Sequence, residues 1–197
     1  MTGMRCSLAP QPAVTLPAGH PPAIGDGAVT ITAGISYALA TVTARRQRTD
    51  LLVERVRDAF GLAPPLTPRR VAADATAFAW AGPGHWLAMA EGTDGPAFEG
   101  RLRAILGDVG SVSDQSDGRV VFRVRGPRAR DTLAKGLPID LHPRAFAPGD
   151  TAVTVVSHMA THIWQVDAAP TYELAVSRSF AASFSRWLLA AAAEFGE

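Results

Sequence analysis

The sequence is poor in cysteine, in charge and in long apolar runs. Cys6 is its only cysteine, so no disulfide can form within the chain. Charged residues make up 19% and the formal net charge is +1, so no long-range attraction to nucleic acid is expected. No apolar run approaches the roughly 20 residues that cross a bilayer, and the N-terminal stretch lacks the apolar core of a signal peptide. These absences predict a cytoplasmic protein.

The motifs that hold nucleotides and metals in other proteins are also missing. Glycines occur as Gly82-Pro83-Gly84, but a strand-like run follows them where a dinucleotide fingerprint requires a helix. The sequence contains no P-loop, HExxH or CxxC pattern. It therefore predicts no catalytic, cofactor-binding or metal-binding residue in this chain.

Three histidines are candidate ligands. His158 and His162 are four residues apart, a spacing that pairs metal ligands on a helix. Valines on both sides favour strands and a turn instead, so the two rings need not converge. Structural roles are predicted for both, with a metal site and a polar interface contact as alternatives. His142, before Pro143, is predicted to bond local backbone, with a binding role as the alternative.

Candidate nucleophiles and acids lack the partners that their chemistry needs. The serines between Ser111 and Ser116 have no GxSxG elbow. Cys6 has no histidine motif beside it. Asp114 and Asp117 are predicted to cap or bond a turn, with an acid–base pair as the alternative.

Three arginines, Arg125, Arg128 and Arg130, surround the Gly126-Pro127 step before a predicted helix. Backbone N–H groups at a helix start and an arginine fork can hold an anion. A solvated basic rim is the alternative. No second element of a site accompanies them, so the rim is preferred.

The tryptophans lie within strand or helix patterns, which favours core or interface positions over a ligand-stacking platform. They are Trp80, Trp86, Trp164 and Trp187. Aromatics exposed on a β-α-β-β-α-β sheet would indicate RNA binding. The RNP1 pattern is absent and the charge is nearly neutral, so an RNA-binding module is disfavoured.

Apolar periodicity predicts two series of elements. The first has a β-type run Val29–Val42 broken near Gly34, a helix from an N-cap at Thr49 to Gly61, strands Val71–Trp80 and Trp86–Ala90 as a hairpin, a helix Gly95–Leu106 and a strand Val109–Val112. The second has a strand Val120–Arg125, a helix opened by Pro127, strands Ala152–Val156, His162–Val166 and Tyr172–Val176, and a helix Phe180–Phe195.

This order predicts an α+β fold built of two ferredoxin-like β-α-β-β-type units, at about residues 29–117 and 118–197. Residues 1–28 form a Pro/Gly-rich arm whose prolines bar regular structure. The arm is either a disordered tail or a segment that orders on a partner. Its possible anchors are Leu8, Val14, Leu16 and Ile24.

Several strings between about Val29 and Gly196 resemble the sarcosine oxidase gamma subunit family. They are SDQSDGRVVFRVRGPRARDTLAKG, IDLHPRAFAPGD, YELAVSRSFAASFSRWL and the Thr67–Arg70 stretch before a tryptophan-containing hairpin. The resemblance implies a fold similar to the folate-binding domain of glycine-cleavage aminomethyltransferases. It also implies that this chain is a non-catalytic structural subunit without a cofactor of its own.

The partners that the resemblance implies are the α, β and δ subunits of a heterotetramer, mainly α. That complex oxidises sarcosine to glycine, reduces oxygen to hydrogen peroxide and forms 5,10-methylenetetrahydrofolate. FAD, FMN, NAD, zinc and tetrahydrofolate are implied for the partner subunits. Amine oxidation needs an electron acceptor such as a flavin, so the chemistry is expected on a partner.

One alternative from the same superfamily is a free-standing folate-binding carrier or iron–sulfur repair factor. The KGCYxGQ-like signature of that type is absent here. The Ile139–Asp150 loop is predicted to be a docking surface. Charged substitutions at Leu141 and Phe146 are then expected to weaken assembly more than they unfold the isolated chain.

Overall fold

A computed structural model of the chain describes residues 23–24 and 27–195. The strands are β1 (Ala23–Ile24), β2 (Val29–Ala33), β3 (Ala38–Ala44), β4 (Arg70–Ala73), β5 (Thr76–Gly82), β6 (His85–Ala90), β7 (Gly110–Asp114), β8 (Arg119–Arg125), β9 (Thr151–Val156), β10 (Met159–Asp167) and β11 (Thr171–Ser177). The helices are α1 (Thr49–Phe60), α2 (Gly95–Leu106), α3 (Ala129–Ala134) and α4 (Ala181–Ala192), and 3-10 turns at Arg178–Phe180 and Ala193–Phe195 flank α4.

The strands form two antiparallel sheets. The six-stranded sheet has the order β1-β2-β8-β11-β10-β9, and the five-stranded sheet has the order β4-β5-β6-β3-β7. The short segment between β2 and β3 carries the chain from one sheet to the other. The predicted α+β class is confirmed.

Three buried clusters arrange the elements in four layers. Helices α3 and α4 cover the outer face of the six-stranded sheet. Helices α1 and α2 cover the outer face of the five-stranded sheet. The inner faces of the two sheets pack on each other through residues such as Leu87, Met89, Val121 and Trp164. Both faces of each sheet are therefore buried over much of their area.

The segment Val29–Ala33 lies in a different sheet from the rest of the first predicted unit. It pairs with β8 of the six-stranded sheet, whereas β3 lies in the five-stranded sheet. The division at about residues 117 and 118 stays a prediction. Most of the 1–28 arm lies outside the described residues, apart from 23–24 and 27–28, and Ala23–Ile24 pair with β2.

The prediction that Thr49 is an N-cap is wrong. Thr49 is the first residue of α1, and the cap position belongs to Arg48, whose side chain makes no capping bond. The reason lies in the backbone, because the amide of Leu52 donates to the carbonyl of Arg48 at 2.9 Å. Helix α2 matches its predicted bounds, and the Asp94 carboxylate caps it by accepting from the Ala97 amide at 2.8 Å.

Other element boundaries also differ from prediction, and two of these differences have a clear local cause. The run Val71–Trp80 is two strands, β4 and β5, because Asp74 turns the chain with φ +48°. Helix α3 begins at Ala129, two residues beyond Pro127. Gly126 precedes it with φ +117°, and a Cβ there would lie 2.5 Å from the carbonyl oxygen of Ala28, so this close approach requires glycine.

None of the helices in the described ranges is both long and apolar enough to cross a membrane.

Candidate functional site

A buried ion pair lies between the two sheets. Glu173 on β11 is fully buried, and its carboxylate accepts from Nε of Arg123 on β8 at 2.8 Å. The indole of Trp164 donates to the same carboxylate at 2.8 Å, and the Tyr37 hydroxyl donates at 3.2 Å. All four side chains lie on the inner side of the sheets. Both oxygens of the Glu173 carboxylate accept hydrogen bonds. The network therefore holds the two sheets in register rather than presenting a reactive carboxylate.

The network also changes the acidity of its members. Burial raises the pKa of the Tyr37 hydroxyl, and the Glu173 charge acts in the same direction. Burial acts to lower the pKa of Arg123, but the hydrogen bonds and charge of Glu173 outweigh it and raise that pKa. Tyr37 therefore stays a neutral hydrogen-bond donor and Arg123 stays charged.

His162 is a second buried titratable group in the same layer. It is 3% exposed, and its Nε2 lies 2.9 Å from Thr151 Oγ1 and 3.1 Å from the Trp80 carbonyl. Since the Thr151 hydroxyl already donates to the Ile163 carbonyl at 2.8 Å, Nε2 must carry the proton and donate. The Nε2-protonated tautomer of the neutral ring fits these partners.

Burial lowers the pKa of His162 to about 4, and the positive charge of Arg119 acts in the same direction. In the unfolded chain the ordinary pKa of about 6.5 applies. The unfolded state therefore takes up a proton first as the pH falls below 6.5. The contribution of neutral His162 to the free energy of unfolding is therefore fully present above pH 6.5 and is lost as the pH falls towards 4.

We predict that the free energy of unfolding falls by about 3 kcal/mol between pH 7 and pH 4 through His162 alone. Urea unfolding at both pH values measures this loss. His162→Gln should remove about that share of the pH dependence. His142→Gln, at an exposed loop histidine, is the matched control and should keep it. Equal acid sensitivity in all three proteins would exclude His162 as the titrating group.

The two candidate histidines lie on different elements of the fold. His158 lies in the turn between β9 and β10 with φ +70°, and His162 lies within β10. This confirms the predicted strand–turn–strand, and residues 27–195 contain no cluster of three or more potential metal ligands. His142 is exposed, and its Nδ1 accepts from the Arg144 amide at 3.2 Å. The predicted contact with local backbone is thus confirmed.

The predicted turn role of Asp114 is confirmed. Its carboxylate accepts from the Ser116 amide at 2.9 Å and from the Ser116 hydroxyl at 2.7 Å. Asp117 is exposed in the following turn. Ser111 and Ser113 are exposed on β7. Cys6 lies outside the described residues.

The three arginines near Gly126 do not converge on one point. Arg128 forms an ion pair with Asp131 at 2.8 Å, and its guanidinium lies over the Phe195 ring at 4.5 Å. Arg130 lies 6.0 Å from the Tyr172 ring centroid. Arg125 is exposed. The basic-rim alternative therefore fits the structure better than an anion site at α3.

The predicted core positions of the tryptophans are confirmed for two of them. Trp86 and Trp164 are fully buried. The Trp86 indole donates to the Pro65 carbonyl at 2.7 Å. Trp187 packs on the Phe184 ring, and a Cβ at Gly136 would lie 2.4 Å from it. Trp80 is half-buried on β5.

The prediction that the Ile139–Asp150 loop is a docking surface is wrong for Leu141 and Phe146. Leu141 is 3% exposed and Phe146 is 6% exposed, and both belong to the core under α3 and α4. The Phe146 ring stacks on Tyr172 with centroids 6.3 Å apart. The loop turns its apolar side chains inward, because β8, β11 and the helices leave a space that they fill.

The ion pair of Glu173 and Arg123 was not predicted from the sequence. One signal was present, because Glu173 interrupts the apolar run Tyr172–Val176, where an unpaired charge would be costly. On β8, Arg119, Val121 and Arg123 alternate with side chains that face the helices. This pattern could have indicated that charges lie between two layers.

Known proteins resemble this chain in both sequence and structure. The model of the sarcosine oxidase gamma subunit family matches residues 48–194. The sarcosine oxidase subunit gamma of Arthrobacter sp is 36% identical over 126 residues, which are 63% of this chain and 60% of that protein. That of Corynebacterium sp. (strain U-96) is 33% identical over 140 residues, which are 70% of this chain and 67% of that protein. The chain thus spans about three fifths of the first of these relatives.

A solved structure of heterotetrameric sarcosine oxidase from Corynebacterium sp. U-96, in complex with pyrrole 2-carboxylate, contains a similar chain. The TM-score is 0.78 at 29% identity, over 89% of this chain and 90% of that chain. The glycine cleavage system aminomethyltransferase T of Bartonella henselae shares the fold, with a TM-score of 0.58 at 16% identity over 82% of this chain and 45% of that one. The resemblance predicted from the sequence motifs is confirmed, and the chain belongs to the sarcosine oxidase gamma subunit family.

Proposed function

We propose that this chain is the gamma subunit of a cytoplasmic heterotetrameric sarcosine oxidase and that it contributes structure rather than catalytic residues. The complex would demethylate sarcosine oxidatively to glycine, with formation of hydrogen peroxide and 5,10-methylenetetrahydrofolate. The match to one chain of the Corynebacterium sp. U-96 complex, over 90% of that chain, is the observation that carries the proposal.

A non-catalytic role agrees with the chemistry of the described residues. The buried titratable groups Glu173 and His162 are enclosed by partners in the layer between the sheets. Gly82 and Gly84 lie at the turn of the β5–β6 hairpin, so no helix start follows that could bind a pyrophosphate. We therefore assign FAD, FMN, NAD, zinc and tetrahydrofolate to the α, β and δ partners.

We infer that the β9 edge contacts a partner subunit. Strand β9 is an edge of the six-stranded sheet, and Val153 and Val155 on it are 54% and 47% exposed. Edge strands of monomeric proteins are usually protected by charge, proline or a covering element. An exposed apolar edge is typical of a surface that another chain covers.

Val153→Lys is expected to weaken binding to the partner subunits by about tenfold or more, because the ammonium would be desolvated in the interface. The measurement is the affinity of the purified variant for the complex of the other three subunits. Ala104→Lys, on the exposed face of α2, is the matched control and should bind like the unsubstituted chain. Equal affinities for both variants would exclude β9 as the contact.

The function itself is tested by leaving this chain out. The α, β and δ partners are expressed with and without it, and sarcosine-dependent peroxide formation and the Tm of the complex are measured. Omission should lower the yield or the Tm of the active complex, while the isolated chain should oxidise no sarcosine. Unchanged yield and Tm, with saturable binding of a reduced folate by the isolated chain, would favour the free-standing folate carrier.

A further inference from the structure

A cavity of about 390 Å³ lies at one end of the gap between the sheets. Ligand pockets commonly have volumes of about 300–1,000 Å³, so it can admit a small molecule. It is bounded by the segment that joins β2 to β3 and by the first residues of β8. The polar side chains that line it are Ser36, Tyr37, Ser116, Arg119 and Arg178.

Arg119 brings an unneutralised positive charge to this cavity. Its guanidinium is partly buried and makes no ion pair or hydrogen bond with any residue of the described ranges. Burial lowers the pKa of Arg119, which reflects the cost of removing the cation from water. Arg178 is a second cation at the wall, but it has an interaction of its own. Of these two charges, only that of Arg119 is therefore used to infer an anion site.

Two acidic residues accept hydrogen bonds from side chains that line the cavity. No aspartate or glutamate lines the cavity. Asp114 accepts from Ser116 on its own turn. Glu173 accepts from Tyr37 but is paired with Arg123. The carboxylates of Asp114 and Glu173 therefore lie behind the lining residues Ser116 and Tyr37, and Arg119 is the charged group that lines the cavity from β8.

The β2–β3 segment adds uncharged donors. The Gly34 and Ile35 amides both donate to the Val121 carbonyl, and the Tyr37 amide donates to the Ile35 carbonyl. Ser36 lies between them, is exposed, and its amide and hydroxyl make no hydrogen bond within residues 27–195. Ser36 and Arg119 thus supply N–H and O–H donors to one cavity, which is the donor set that binds carboxylate or phosphate oxygens.

We propose that Arg119 and Ser36 form a binding site for a small carboxylate or phosphate anion. The fold alone does not require a cation at residue 119. A partly buried, unpaired guanidinium is costly, and an unbranched apolar side chain would suit this strand position. Arg119→Met should therefore leave the anion-free chain at least as stable as the unsubstituted chain, as expected of a residue kept for binding rather than for folding.

The test uses the full chain and two probes, inorganic phosphate and acetate, at constant ionic strength maintained with chloride. The Tm should rise and saturate with at least one probe. Arg119→Met should weaken that binding on the order of tenfold to a hundredfold, since a charge-assisted hydrogen bond is lost. Arg125→Met is the matched control, because Arg125 is exposed at the other end of β8, and it should bind like the unsubstituted chain.

Equal binding by Arg119→Met and the unsubstituted chain would overturn the proposal, as would a Tm that does not respond to either probe. The same titration of the assembled complex distinguishes two sources of the anion. Binding in both forms indicates a free small anion, and binding in the isolated chain alone indicates that a partner's carboxylate takes the site. Failure to form the complex would contradict the proposed function and leave the isolated-chain result intact.

Discussion

Glu173→Ala is expected to lower the free energy of unfolding by about 3–5 kcal/mol, the range measured when one partner of a buried ion pair is removed. The substitution leaves the Trp164 indole, which is fully buried, without its acceptor. It also removes the counter-charge of Arg123. Urea unfolding followed by tryptophan fluorescence measures the loss, and Trp164 itself reports on the layer between the sheets.

Two further variants show whether the loss comes from the buried pair. Glu99→Ala removes the i,i+4 pair with the exposed Arg103 and a 3.3 Å hydrogen bond from the Asp114 amide, and it should cost no more than about 1.5 kcal/mol. The double variant Glu173→Leu/Arg123→Met removes both charges and should recover part of the stability lost in Glu173→Ala. A loss in Glu173→Ala no larger than in Glu99→Ala would show that the network does not hold the sheets together.

Phe146→Ala is expected to destabilise the isolated chain by about 3–5 kcal/mol, the usual cost of truncating a buried phenylalanine. Its ring lies in the core beneath α3 and α4 and stacks on Tyr172. Chemical denaturation of the isolated chain gives the value directly. The assembled complex should lose stability by the same route rather than through a broken subunit contact.

The loop itself provides the control. Ala145 is exposed and adjacent to Phe146, so Ala145→Asp should change the free energy of unfolding by only about 0.5 kcal/mol. If Phe146→Ala left the isolated chain as stable as Ala145→Asp does, and impaired only assembly, the loop would be a docking surface after all.

The sequence predicted the helices well because local signals define them. Helix α2 has Asp94 as a cap, a proline in its first turn and apolar residues spaced for one buried face, and its predicted bounds match the structure. Helix α1 shows the limit of such local signals. Its N-cap is the residue whose carbonyl accepts the first helical hydrogen bond, and that residue is Arg48 rather than Thr49. Side-chain propensity favours threonine over arginine at the N-cap, so it selects the wrong residue here.

The layer between the sheets could not be predicted from local patterns. Strands buried on both faces show apolar residues at nearly every position, as β6 does, so alternation does not reveal which face meets the second sheet. The partners Glu173, Arg123 and Tyr37 come from distant parts of the chain. Arg119 was likewise unpredictable as a site residue, because the cavity beside it exists only once β2 and β3 enter different sheets.

The loop Ile139–Asp150 illustrates a different error. Its motif identified the family, and that identification is confirmed, but a family motif does not distinguish a docking surface from a core. The inward packing of Leu141 and Phe146 shows that at least these two positions serve the core. The exposed apolar residues that suggest a contact lie instead on β9.

Native mass spectrometry of the co-expressed subunits tests the central proposal most directly. This chain, tagged and expressed with the α, β and δ partners, should be found in an assembly that contains one copy of each of the four chains. Collisional activation should release this chain intact, at the 20.7 kDa of its 197 residues plus the mass of the tag. A tagged chain recovered only as a free monomer, beside an active assembly of the other three subunits, would contradict its role as a structural subunit.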